Sequence, residues 1–134
     1  MAAGITSGGL SNYLEHKLLN DTFVTATGLK IKAFSTSIGE EITATDVMIS
    51  SSDVDSFENE IIFEFDPTNA SKIQNKNLIN FGVVTNPSGV NMMSFAVHDA
   101  EGNYLVRGVL NRAQPVNEGI NWVLLPGQFT VTLD

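Results

Sequence analysis

A chain of 134 residues suits one domain, because a core of this size can bury roughly two thirds of the surface that the unfolded chain exposes. Hydrophobic residues make up 43% of it and charged residues only 16%, a globular composition and not a disordered one. Fifteen acidic side chains against seven Lys and Arg give a formal net charge of −8, which repels phosphate backbones and argues against direct nucleic-acid binding; the absence of cysteine excludes disulfides, thiolate nucleophiles and Cys-ligated metal centres.

Residues 1–9 are small and Gly-rich, with neither the positive start nor the apolar run of a leader peptide. No stretch approaches the roughly 18 apolar residues of a membrane span, so a soluble, unexported chain with no membrane partner is expected. The arm 1–9 is predicted to be flexible in isolation and able to order on a partner, with Ile5 as its candidate contact. Next, Leu10, Tyr13, Leu14 and Leu18 fall on one apolar stripe at helical spacing, which predicts an α-helix over 10–20 with Ser11 as N-cap. So short a helix is marginal alone; it must dock, either on its own domain or on a neighbouring subunit.

From Leu29 the period changes to alternation, with Leu29, Ile31 and Ala33 on one face and Lys30, Lys32 and Phe34 on the other. Seven more stretches rich in β-branched and aromatic residues read as strands: 42–49, 60–65, 78–85, 92–98, 104–110, 122–125 and 129–133. The stretch 69–77 is polar and reads as a helical turn or a long loop. Turn chemistry separates the strands, as in Asp66-Pro67-Thr68-Asn69, Asn86-Pro87-Ser88-Gly89 and Pro126-Gly127. Eight short strands joined by gaps too short for helical crossovers predict a mainly β fold, an antiparallel β-sandwich of jelly-roll type spanning 10–134. Gly82 and Gly108 stand inside strand patterns and mark bulges or close approaches.

The residues offer little chemistry. His16 and His98 have no second histidine at ligand spacing and read as ordinary surface or edge residues. Asp53, Asp55, Glu58 and Glu60 form an acidic stretch that offers oxygen ligands to calcium, but the EF-hand pattern fails there and a solvated acidic loop is the favoured reading. No catalytic residue, metal site or cofactor is assigned. Trp122, Tyr104 and Tyr13 could stack on a sugar ring, which keeps a carbohydrate-binding module as a lesser alternative.

Two parts of the chain carry a resemblance. One is Gly9-Leu10-Ser11-Asn12-Tyr13-Leu14-Glu15-His16-Lys17-Leu18-Leu19-Asn20. The other is the C-terminal half, with Ile79-Asn80-Phe81-Gly82-Val83-Val84, then Gly102 to Leu110, then Gln114 to Gly119, and a closing Pro126 to Asp134. Together they cover about half the chain and resemble a widespread family of small phage virion proteins, labelled tail-fibre-like and in some phages looking like the proteins that cement or decorate the capsid. The resemblance implies a non-enzymatic virion component made in the host bacterial cytoplasm. It implies first a capsid cement or decoration protein that binds the major capsid protein as a homotrimer, and second a tail-associated or tail-fibre-like component. Ile5, Leu10, Tyr13, Leu14 and Leu18 are then the candidate partner-binding residues.

Overall fold

The computed structural model describes residues 28–39 and 41–132, together with the backbone of 2–5. Ten strands occur among these residues: β1 (Ala2–Ile5), β2 (Lys30–Phe34), β3 (Glu58–Glu60), β4 (Phe63–Asp66), β5 (Asn69–Asn75), β6 (Ile79–Val83), β7 (Val90–His98), β8 (Tyr104–Val116), β9 (Asn121–Leu124) and β10 (Thr130–Thr132). The fold is mainly β, as composition and alternation predict. The expected helix over 10–20 lies outside the described residues.

Eight strands form one sheet in the order β3-β2-β7-β8-β1-β10-β5-β4, and β6 pairs with β9 in a separate ribbon. All pairings are antiparallel except β1 with β10. The two edge strands of the large sheet, β3 and β4, are separated in sequence by Ile61 and Ile62 alone. In a flat sheet those edges would stand about 34 Å apart, at roughly 4.8 Å per strand; three Cα steps reach about 11 Å. The sheet therefore curls until its edges approach each other. The Val54↔Val84 bridge and the bond from Ser56 N to the Phe81 carbonyl hold the β6–β9 ribbon beside the chain that leads into β3.

The interior of this curl is the main core. Phe95 of β7 lies at its centre, with ring centroids 6.5 Å from Phe81, 5.5 Å from Trp122 and 6.3 Å from Phe129. Phe81 and Trp122, one from each strand of the ribbon, stack at 4.2 Å. Ile31, Ala33, Val90, Met92, Val97, Val106, Val116 and Val131 are the other buried residues that the strands of the large sheet give to this cluster. A second, smaller cluster of Phe34, Ile38 and Ala96 lies apart from it, covered by Ile42, Met48, Tyr104 and Val109.

Four expectations are corrected. Residues 42–49 are not a strand: Asp46 accepts from Thr43 N at 2.8 Å and closes a turn, and a single bridge ties Met48 to Phe34. The stretch 60–65 is two strands, because Ile61 N still donates to Leu29 O while Ile62 N turns to the Asn77 side chain and the chain moves on to the opposite edge. The polar stretch from Asn69 is strand β5, held by backbone pairing to β4 on one side and β10 on the other. Within the arm, Ala2–Ile5 form a strand inside the sheet and are not free.

Gly82 does mark a bulge: the β6–β9 register shifts between Asn80 and Gly82. Its φ is +79°, and an added Cβ would lie 2.7 Å from Asp55 Cβ, so only glycine suits the position. Gly108 is regularly paired, opposite Phe95 on β7 and Ala3 on β1.

Candidate functional site

The acidic stretch folds into a structural loop. Asp53 Oδ2 accepts from Ser50 N at 2.9 Å and from Ser50 Oγ at 3.2 Å, and its Oδ1 accepts from Asn86 Nδ2 at 2.8 Å. Burial alone would raise the Asp53 pKa, but these hydrogen bonds outweigh it and hold the carboxyl below its ordinary value. Asp55 Oδ2 accepts from Val83 N at 3.2 Å. The oxygens that a cation would need thus cap the backbone of the loop and of β6. No group of three or more His, Asp or Glu side chains is placed to hold a metal among the described residues.

Glu58 is the exception, since it faces cations. It takes Lys30 Nζ on Oε1 at 3.2 Å, and Lys32 Nζ on Oε2 at 3.2 Å, with His98 Nε2 3.5 Å from the same oxygen. Alternation along β2 puts both lysines on one face of the strand, and the β2–β3 register sets Lys32 opposite Glu58. His98 is 8% exposed and correspondingly not a surface residue. Its Nδ1 meets the Asp99 carbonyl at 2.8 Å, its ring packs edge-on against Tyr104, and its Nε2 has no hydrogen-bond partner among the described residues.

Burial raises the Glu58 pKa, yet the hydrogen bonds and charge of Lys30 and Lys32, with His98 behind them, bring it below the usual glutamate value of 4.5. A carboxyl depressed by folding stabilises the protein above its unfolded-state pKa, and that contribution is lost as pH falls through the folded value. Glu58→Gln should therefore cost on the order of 1 kcal/mol at pH 7, the upper end for partly exposed pairs. The difference between variant and parent should shrink as pH is lowered from 7 into the range below 4.5 where the folded carboxyl takes up its proton. Urea unfolding at both pH values measures it, and a deficit independent of pH would contradict the ion-pair account.

The aromatic candidates are committed elsewhere. The Trp122 ring is stacked on Phe81 and Phe95 within the core, and Tyr104 borders His98 and the small cluster. Both rings are partly buried against these neighbours. A cavity of about 250 Å³ opens between the 47–53 loop and the 86–91 turn, with Asp53, Asn86 and Asn91 in its lining.

Of the candidate partner residues, Leu10, Tyr13, Leu14 and Leu18 lie outside the described residues, as does His16. Ile5 falls in β1, its backbone paired with Val106. The structure adds a set of exposed apolar residues, most of which pattern reading assigned to strands. Leu78 and Leu125 at one end of the β6–β9 ribbon and Val83 and Ile120 at the other are exposed, as are Ile62 and Phe65, the last at 67%. Asn75 and Asn77 hold the chain at Ile62, Leu78 and Leu125 together: Asn77 Oδ1 accepts from Ile62 N, and Asn75 Nδ2 donates to the Asn77 and Leu125 carbonyls. The available signal in the sequence was position for four of them, Leu78, Val83, Ile120 and Leu125, each lying next to an Asn, Gly or Pro; Ile62 and Phe65 carry no such signal.

No helix among the described residues is long and apolar enough to cross a membrane. Comparison with models of known protein families gives no match, and comparison with curated proteins gives no relative. The features of the structure on which a function can rest are therefore the curled β scaffold and its exposed apolar side chains.

Proposed function

We propose that this chain is a bacteriophage virion structural protein of the capsid cement or decoration class, a binding scaffold that attaches to the major capsid protein and stabilises the shell. The observation that carries the proposal is the pair of stretches at 9–20 and 79–134 that resemble small phage virion proteins, in the same order and at similar spacing. The fold supports it: the C-terminal elements of that resemblance are β6, β8 and β10, each part of the β scaffold. We read the ribbon packed on the curled sheet as a β-sandwich of jelly-roll type, the strands at its corner passing from one layer to the other.

Attachment in this reading comes from many weak contacts multiplied by symmetry, with a homotrimer as the unit. Leu10, Tyr13, Leu14 and Leu18, the stripe that their spacing predicts, would supply one contact and Ile5 another. The exposed rim of Ile62, Leu78 and Leu125 supplies an apolar patch that the folded chain leaves uncovered. The net charge of −8 would then favour a partner surface with basic groups around its apolar contacts.

Copy number tests the assignment. A shell protein should be present on the order of hundreds of copies per particle and a tail component in a few to tens, since each follows the symmetry of its site. Quantitative gel densitometry of purified particles against the major capsid band reads this directly. A count in the tens moves the protein to the tail, and absence from the particle overturns the virion role altogether.

A further inference from the structure

Strand β1 holds the large sheet together. Among the described residues no pairing joins β8 to β10; β1 lies between them, antiparallel to β8 through Ala3↔Gly108, Gly4↔Arg107 and Ile5↔Val106, and parallel to β10 through Ala2↔Thr130 and Ala3↔Val131. Both walls of this slot come from the last third of the chain, and the strand that fills it comes from the first five residues. During synthesis β1 therefore exists long before the slot does. Three of its four residues, Ala2, Ala3 and Gly4, carry at most one side-chain carbon. Main-chain pairing holds the strand, and an identical strand from a second copy makes the same bonds.

Nothing in the connection forces β1 into its own slot. Ile5 pairs with Val106, Val106 with Val97, and Val97 with Ile31, so Ile5 and Ile31 lie level across the sheet. Three strand spacings put them about 14 Å apart. Residues 6–29 join the two strands, and residues 6–27 alone reach about 70 Å when extended. With residues 10–20 wound into the helix that their spacing predicts, about 50 Å remains. A domain of this length is about 36 Å across, so the connection reaches a neighbour's slot as readily as its own. A connection just long enough for 14 Å would have excluded that.

We infer that β1 is exchanged between copies of this chain, each subunit's strand filling the β8–β10 slot of the next. The exchange is head-to-tail, so it closes into a ring when the rotation allows, and each subunit's two sheet halves are then joined by its neighbour. The inference rests on the self-association in the proposed function and names its mechanism.

Disulfide trapping in the full-length protein tests it. Ile5→Cys with Val106→Cys, and separately Gly4→Cys with Arg107→Cys, place thiols at both kinds of cross-strand pair. Dilute protein is oxidised and run on a non-reducing denaturing gel, with the single-cysteine chains as controls that can link only in pairs. Exchange predicts covalent species larger than a dimer in at least one double variant. Links confined within single chains overturn it, and so do free thiols in both variants, which would mean an unfilled slot. Particle binding by the parent protein is measured separately, so intrachain links with normal binding would reject the exchange while leaving the virion role standing.

Discussion

Replacing Asn75 with Ala should cost about 4 kcal/mol, because buried polar groups left without partners lose roughly 1–3 kcal/mol each and Asn75 serves three. Its side chain is 0% exposed. Nδ2 donates to the Asn77 carbonyl at 2.9 Å and the Leu125 carbonyl at 3.0 Å, and Oδ1 accepts from Phe129 N at 2.9 Å. Its backbone adds two more bonds, donating to the Phe129 carbonyl and accepting from Gly127 N. One residue thus fixes the end of β5, the Leu125–Gln128 turn and the entry to β10.

Asn75→Leu, which keeps the volume, should do no better than Ala, since the three orphaned groups remain. Asn75→Asp keeps the acceptor, loses both donors and buries a charge; it should be the worst of the three at neutral pH and recover partly in acid, where the carboxyl is protonated. Urea unfolding of the three variants provides the comparison. An Ala variant within 1 kcal/mol of the parent, the range of a single ordinary hydrogen bond, would show that water replaces the amide and that Asn75 is not a keystone.

The same residue shows why the sequence yielded most of the strands and missed others. Strands with apolar inward positions announced themselves: Ile31 and Ala33 in β2, Phe95 and Val97 in β7, Phe129 and Val131 leading into β10 are all buried as alternation requires. In β5 the inward positions at its end are Ile73 and Asn75, so the alternation continues through a polar side chain whose partners lie 2 to 54 residues away. No local pattern encodes that. The reverse error occurred at 42–49, where Ile42, Val47, Met48 and Ile49 looked like a strand. Ile42 and Met48 instead cover Phe34 and Ile38, Val47 is exposed, and Ile49 enters the main core. Apolar content predicted burial there, and the Thr43–Asp46 turn decided the backbone.

The candidate site was less legible than the fold. The pairing of Lys30 and Lys32 with Glu58 depends on β3 lying antiparallel to β2 across the intervening residues 35–57, a register that no spacing in the sequence reveals. The acidic stretch could be located by composition, but which carboxylates cap backbone amides and which face cations is a matter of tertiary contacts. Exposure of Leu78, Val83, Ile120 and Leu125 has the same origin: they lie at the ends of β6 and β9, where the ribbon runs past the core that its Phe81 and Trp122 fill.

Deleting residues 130–134 should abolish cooperative folding, although the strand removed is only Thr130–Thr132. β10 pairs with β1 on one side and with β5 on the other, through Thr130↔Gln74, Val131↔Ile73 and Thr132↔Lys72. Its loss separates β5 and β4 from the rest of the large sheet, and a two-stranded hairpin is at best marginally stable in water. Burial of the Val131 side chain alone contributes about 1.5–3 kcal/mol, and the ladder bonds to two neighbours add roughly 0.5–1.5 kcal/mol each. Against a total stability of about 5–15 kcal/mol for an ordinary domain, the remaining margin is small or negative. The near-ultraviolet circular dichroism of Trp122, which reports its stack on Phe81 and Phe95, should collapse and the thermal transition should disappear. Val131→Ala, a milder change at the same place, should lower stability by about 2 kcal/mol with the transition still cooperative. β10 is also one wall of the slot for β1, so if strands are exchanged the deletion must dissolve the oligomer along with the fold. A truncated chain that melted at the parent's temperature would mean that β5 is held by its hairpin and by Asn75 alone, and that the order of strands in the sheet carries less of the stability than its topology implies.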